Sequence, residues 1–395
     1  MKLFNAKLLV KAIFFILFFI MIIYPFSINN HPFYLDNLKP IISYNESKKE
    51  ILLKGRNYLD KCLNFTNILE YKYISKPKIS VIIPMFNCEK TIKSSLNSVQ
   101  YQNISTIEII LINDFSTDNT SKIVEKIIKK DQRIKIINNH KNMGTLYSRS
   151  IAALIAKGKY IFGLDNDDLY FDEDLLDYIY KRGIKENLDI IEFLTINAWD
   201  YNIEISNMKD IYTYQYQDNL YIQQPELSTW MIKFNGNFIV HNNMIWDKCI
   251  KTSVYQKSVN LLGIKRYSQF VSWSEDTSIN FVIFNIANDF KYIHKYGIFH
   301  FRGHSTASFR QSIDSKIFGE IFFFNIIYDF SKNDTFNKNF IFEQALYIKN
   351  TYNISKINKG NVRNYMYLTF VLNKLIYYKY LNKKNTRKLK KLFIN

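Results

Sequence analysis

The chain has little cysteine, glycine or proline: 3, 11 and 6 residues out of 395. Cys62, Cys88 and Cys249 stand far apart, with no Cys-x-x-Cys pair and no Cys/His cluster. Neither a zinc finger nor a disulfide framework is therefore implied. Scarce glycine and proline exclude collagen-like and linker-like chains. Acids are outnumbered, 35 against 53 Lys and Arg, for a formal net charge of +18. Lys is spread along the chain beside abundant Asn, Ile, Tyr and Phe, as an AT-rich coding sequence produces, and no nucleic-acid module accompanies it. A nucleic-acid partner is not expected; an anionic small substrate or a membrane surface accounts for the surplus equally well. Long apolar runs are also missing after residue 30. Residues 317–330 are interrupted by Glu320 and Asp329, and residues 365–380 by Lys374 and Lys379.

What is present reads as globular, with 47% hydrophobic and 22% charged residues. The longest uncharged stretch is at the start. Residues 12–30 carry no charge, and Lys2, Lys7 and Lys11 precede them. About 20 apolar residues span a bilayer as a helix, and residues 8–28 suffice despite Lys11. The basic flank belongs on the cytoplasmic side. An uncleaved signal-anchor is expected, since a small-residue cleavage site is poorly formed near Ser27; a cleaved signal peptide is the rival. The catalytic region would then face a lumen (ER or Golgi), or the chain would sit in a bacterial inner membrane. Asn-x-Ser/Thr sequons at Asn45, Asn64, Asn103, Asn119, Asn333 and Asn353 add little, because an Asn-rich chain makes several by chance.

Residues 31–76 read as a stem, with a helix near 47–63. From Lys78 the pattern changes. Short β-branched runs at 79–83, 107–112, 134–137, 160–164 and 189–194 alternate with helical stretches at 88–101, 121–130, 145–156 and 172–186. Such alternation predicts βαβ units and a mostly parallel sheet with helices on both faces. Ligands bind at the carboxyl ends of strands in such sheets. The loops after three of these strands are polar: Pro84-Met85-Phe86-Asn87, Asn113-Asp114-Phe115-Ser116-Thr117-Asp118 and Asp165-Asn166-Asp167-Asp168. In the last, three carboxylates crowd within four residues. Two like charges about 6 Å apart repel by roughly 3 kcal/mol at an effective dielectric near 20. A bound cation relieves this, and oxygen-only ligands favour Mg²⁺ or Mn²⁺. A solvated, helix-capping acidic loop is the alternative.

The order and spacing of these segments resemble family 2 of the glycosyltransferases, with the Rossmann-like nucleotide-sugar fold called GT-A. The likeness runs through residues 81–87 and 109–118, then Asn142-Met143-Gly144-Thr145-Leu146-Tyr147-Ser148-Arg149, residues 158–168 and Ser274-Glu275-Asp276. It implies a nucleotide diphosphate sugar donor, a divalent metal, inversion at the anomeric carbon, and a glycan, protein or lipid acceptor. Pro84, Phe86, Asn87 and Glu89 would edge the nucleoside pocket, with Ser116 nearby. Asp114 would bond the base, Asp165 face the ribose and Asp167 bind the metal. Arg149 stands where the family places a basic residue near the donor. Asp276 would be the general base and Glu275 its support. Phe115 replaces a Gly common in that turn, and Phe86 a frequent Tyr. The Gln-x-x-Arg-Trp motif of processive polysaccharide synthases is absent, which implies one transfer per encounter.

Other residues stay open. His300 is a candidate further metal contact, as is His304, or each is a packing residue. Trp230 and Trp246 read as core, while Trp273, three residues before Asp276, is a candidate sugar platform. The organisation expected is a cytoplasmic tail and anchor (1–30), a stem (31–76), a catalytic domain (77–315, with a donor half at 77–195 and an acceptor half at 196–315) and a helical basic region (316–395). A non-catalytic nucleotide-sugar or glycan-binding protein on the same fold is the alternative to an enzyme.

Overall fold

The computed structural model describes residues 46–64, 69–198, 218–230, 244–301 and 313–330. The expected membrane span, His304 and the basic C-terminal run lie outside them. Among the described residues no helix is long and apolar enough to cross a membrane.

The core is an α/β sheet. Strands β1 (Ile79–Met85), β2 (Ile107–Asn113), β3 (Ile134–Asn138) and β4 (Tyr160–Gly163) are parallel, in the order β3-β2-β1-β4. Their apolar residues run without alternation because both faces are covered. Val81, Ile83, Ile109 and Leu111 pack on one side with Ile92 and Leu96 of α2 (Ile92–Gln100) and Val124 of α3 (Thr120–Ile128). Ile82, Ile110 and Ile112 pack on the other with Leu146, Ala152 and Ala153 of α4 (Thr145–Ile155).

The remainder departs from the mostly parallel expectation. Strand β8 (Lys248–Lys251) enters antiparallel between β4 and β6 (Ile190–Ala198). β6 then pairs in parallel with β9 (Asp289–Phe301), and β5 (Leu169–Tyr170) and β7 (Tyr221–Gln223) join β9 antiparallel. The sheet is therefore mixed. Its carboxyl edge is built by the parallel half: Met85 is in register with Asn113, and Ile82 with Gly163, so the three polar loops leave side by side.

Helix α1 (Glu46–Asn64) falls within the expected stem, yet it is seated on the domain. Tyr58 donates to the Ser98 carbonyl at 2.7 Å, and Asn97 Nδ2 to the Cys62 carbonyl at 2.8 Å. Helix α5 (Leu175–Glu186) covers the sheet after β5, and α6 (Glu226–Trp230) follows β7. Helices α7 (Thr252–Leu262), α8 (Ile264–Tyr267), α9 (Glu275–Ile286) and α10 (Ile313–Phe330) complete the described fold, with α9 packed on α7 and α10.

Candidate active site

At the end of β2, Asp114 is buried and both its carboxylate oxygens are engaged. Asn139 Nδ2 and the Met143 N–H donate to Oδ1 at 2.8 and 2.7 Å, and the Gly144 N–H to Oδ2 at 2.7 Å. Gly144, at φ +87°, is the residue from which α4 starts. Asp114 therefore fixes the helix that carries Arg149. The β1 and β2 loops are also knitted together. The Asn87 N–H donates to Ser116 Oγ at 3.1 Å, the Thr117 N–H to Asn87 Oδ1 at 2.8 Å, and the Asn119 N–H to Glu89 Oε2 at 2.9 Å. Phe86 and Phe115 project from these loops, 45% and 49% exposed. Phe115 has φ +69°, in the left-handed region that favours glycine.

The acidic loop after β4 is held on both sides. Asn166 Nδ2 donates to the Pro84 carbonyl at 2.9 Å, and Ser95 Oγ to the Asp168 carbonyl at 2.6 Å. Asp165, Asp167 and Asp168 each offer an oxygen, all within 4.8 Å of one another. Burial first, then the Asp168 and Asp165 charges, push the Asp167 carboxyl up to about 8. Asp168 is occupied: the Phe301 N–H donates to Oδ1 at 2.9 Å, and His300 Nδ1 lies 2.9 Å from Oδ2. Burial works against a charged His300, but Asp168 outweighs it and the imidazole is pushed up to about 9. Trp246 stacks on His300 with centroids 4.7 Å apart. A set of hard oxygens carrying surplus negative charge fits a dication, with Asp167 the carboxylate placed to hold it.

Arg149 joins the halves of the site. Its buried guanidinium is ion-paired with Asp165 and with Asp276 in the first turn of α9. Burial opposes the charge, but the Asp276 and Asp165 carboxylates hold its pKa above the ordinary arginine value. Asp276 is pushed up to about 6, by burial first, with Arg149 pulling the other way. Burial and the Asp276 charge push Glu275 up to about 7. A carboxylate near 6 is largely ionised at neutral pH yet basic enough to take a proton.

Trp230 lies in α6, Trp246 is buried as core, and Trp273 is half-buried with its Nε1 donating to Glu320 Oε1 at 2.9 Å. Sequence reasoning missed the partners Asp168, Trp246 and Glu320. Asp168 and His300 are 132 positions apart and Glu320 and Trp273 are 47 apart, so neither pairing left a signal in the sequence.

Residues 80–225 match the family description "Glycosyl transferase family 2". The chain carries a family 2 glycosyltransferase domain. Among its relatives is the uncharacterized glycosyltransferase EpsJ of Bacillus subtilis, 26% identical over 215 residues, 54% of this chain and 58% of EpsJ. The cholesterol galactosyltransferase of Borreliella burgdorferi is 30% identical over 191 residues, 47% of this chain and 51% of that protein. This chain thus spans little more than half the length of either. S. aureus TarS 1-349, solved in complex with UDP-GlcNAc, superposes with a TM-score of 0.53 at 17% identity, over 76% of this chain and 80% of that one. At that identity the likeness establishes the GT-A-like fold.

Proposed function

We propose that this protein transfers a sugar from a nucleotide diphosphate sugar to a hydroxyl of a glycan, protein or lipid acceptor, with inversion at the anomeric carbon. The reading is carried by one observation: Arg149 ties Asp165 of the acidic loop to Asp276. Donor-facing and acceptor-facing carboxylates so share a single guanidinium. The UDP-GlcNAc complex of TarS supports a UDP-sugar as donor.

In this mechanism Asp276 removes the proton from the acceptor hydroxyl as its oxygen attacks the anomeric carbon. The bond from that carbon to the diphosphate breaks, and its electron pair leaves with the nucleoside diphosphate. Mg²⁺ or Mn²⁺ at Asp167 supplies Lewis-acid neutralisation of the leaving group when bound. Asp165 faces the ribose, and Asp114 and Ser116 with the Pro84-to-Glu89 turn frame the nucleoside. Arg149 keeps Asp276 aligned and adds positive charge beside the leaving group. Glu275 supports Asp276. His300 holds Asp168 in place and, as an imidazolium, would offer positive charge and an N–H to the diphosphate. Residues 8–28 tether the enzyme to a membrane, and the bacterial origin of EpsJ and of the cholesterol galactosyltransferase supports an inner membrane.

The full chain incubated with UDP-sugars and Mn²⁺ should release UDP. Asp276→Asn should lower kcat by roughly 10² to 10⁴ while UDP affinity holds. Turnover unchanged in Asp276→Asn would sink the assignment of the base.

A further inference from the structure

Helix α10 meets the chain just before the proposed base. Glu320 Oε1 accepts two hydrogen bonds there, from Trp273 Nε1–H and Ser274 Oγ–H, both at 2.9 Å. One residue earlier, Gly319 lies flush on the same turn: a Cβ added to it would fall 2.1 Å from the Trp273 carbonyl oxygen. Lys316, on the preceding helical turn, places Nζ 4.7 Å over the Trp273 ring. Three successive contacts of one helix thus converge on Trp273 and Ser274.

Ser274 sits where a small backbone change would matter most. It has φ +58°, a left-handed conformation that non-glycine residues hold only when their surroundings impose it. It is also the residue from which α9 departs, and its carbonyl accepts from the Ser278 N–H at 3.0 Å and Ser278 Oγ at 2.7 Å. Glu275 and Asp276 follow at once. The conformation of Ser274 therefore sets the direction in which the Asp276 carboxylate points toward Arg149. The seating of α10 does not itself depend on Glu320, because Phe322, Phe323, Ile326 and Ile327 bury that helix in the core.

We infer that Glu320 is a positioning residue for the transfer: through Trp273 and Ser274 it holds the first turn of α9 in the orientation that aligns Asp276. This rests on Asp276 being the base. A carboxyl group is suited to the task because one oxygen accepts two donors at once, and those two bonds offset part of the burial that pushes its pKa up.

The test uses the full chain with wild type, Glu320→Ala, Glu320→Gln and Asp276→Asn side by side. Hydrogen exchange comes first, since it needs no substrate. Losing both bonds should speed amide exchange at residues 274–280 by about tenfold or more in Glu320→Ala, with β1, β2 and β4 unchanged. Glu320→Gln keeps a carbonyl oxygen in place and should recover most of the protection. UDP release from UDP-GlcNAc, UDP-glucose and UDP-galactose follows. Misplacing the base should lower kcat roughly 10- to 100-fold in Glu320→Ala, with donor KM and UDP binding within about twofold and partial rescue by Gln. Unaltered exchange at 274–280 overturns the inference, as does an unaltered kcat in Glu320→Ala where Asp276→Asn is inactive. An active Asp276→Asn overturns instead the assignment of the base, whatever Glu320→Ala does.

Discussion

The Arg149 guanidinium is ion-paired with Asp276, and the same side chain reaches Asp165 on the far side. A base held by a permanent cation is less basic than its burial alone would make it. Asp276 stands at about 6 because burial raises it and Arg149 pulls it back. It must be ionised to accept a proton, so kcat/KM should fall as pH drops through about 6. Arg149→Lys leaves one ammonium where a fork served two carboxylates, and it cannot pair both. With weaker opposition to burial, the acidic limb of the kcat/KM profile should move up by about 1 to 3 pH units. A limb that stays put or moves down would show that Asp276 does not govern it.

Asp167 links pH, metal and stability. Burial and its acidic neighbours raise it from 3.8 to about 8, so between those values the folded chain binds the extra proton. Stability from this group is present below the unfolded value and is lost as pH rises through the folded one. Without divalent ions, Tm should therefore decline between about pH 4 and pH 8. Mn²⁺ or Mg²⁺ competes with that proton, so the ion should raise Tm more at pH 8 than at pH 6. Asp167→Asn should flatten both dependences. Equal stabilisation of wild type and Asp167→Asn by Mn²⁺ would place the ion elsewhere.

The parallel half of the fold was legible because its strands are short β-branched runs, apolar on both faces apart from Ser80, Glu108 and the terminal Asn113, which burial on both faces explains. The acidic loop and Asp276 were legible for a different reason: their order and spacing match a family. Strand β8 was not legible. It has Lys at both ends, and Lys248 is fully buried only because Glu192 and Asp247 pair with it at 3.0 and 2.7 Å, one of them 56 positions away in the chain. A charge that reads as surface was core. Glu320 was hidden in the same way, as its partners Trp273 and Ser274 are 47 and 46 residues distant. Helix α1 was foreseen as a helix, but its place against α2 depends on the hydroxyl of Tyr58 and the amide of Asn97, which no periodicity reveals.

Phe115 occupies a turn that would suit glycine. A side chain in the left-handed region costs roughly 1–2 kcal/mol, and the freedom glycine gains in the unfolded chain returns about 0.5–1. The ring is half exposed, so little packing is lost with it. Phe115→Gly should leave the fold more stable by about 0.5 kcal/mol or slightly more, read from urea unfolding. A destabilised variant would mean that the ring packs more tightly than its exposure indicates.

Gly55 tests whether α1 belongs to the catalytic domain. A Cβ there would lie 2.3 Å from Cζ of Phe171, a ring already packed against Tyr296 and Phe299 with centroids 5.3 and 4.9 Å away. Phe171 cannot withdraw without disturbing those neighbours, and it directly follows β5, which continues from the acidic loop. Gly55→Ala would help an isolated helix by up to about 1 kcal/mol through propensity alone. In the folded protein overpacking should reverse the sign and cost about 1–3 kcal/mol. Lys61→Ala is the contrast: its pair with Glu173, at 3.3 Å, is partly exposed to solvent and should change stability by less than about 1 kcal/mol. Urea unfolding of the two variants separates the possibilities. A stabilised Gly55→Ala would mean that α1 stands clear of the domain, as a spacer between membrane and enzyme would.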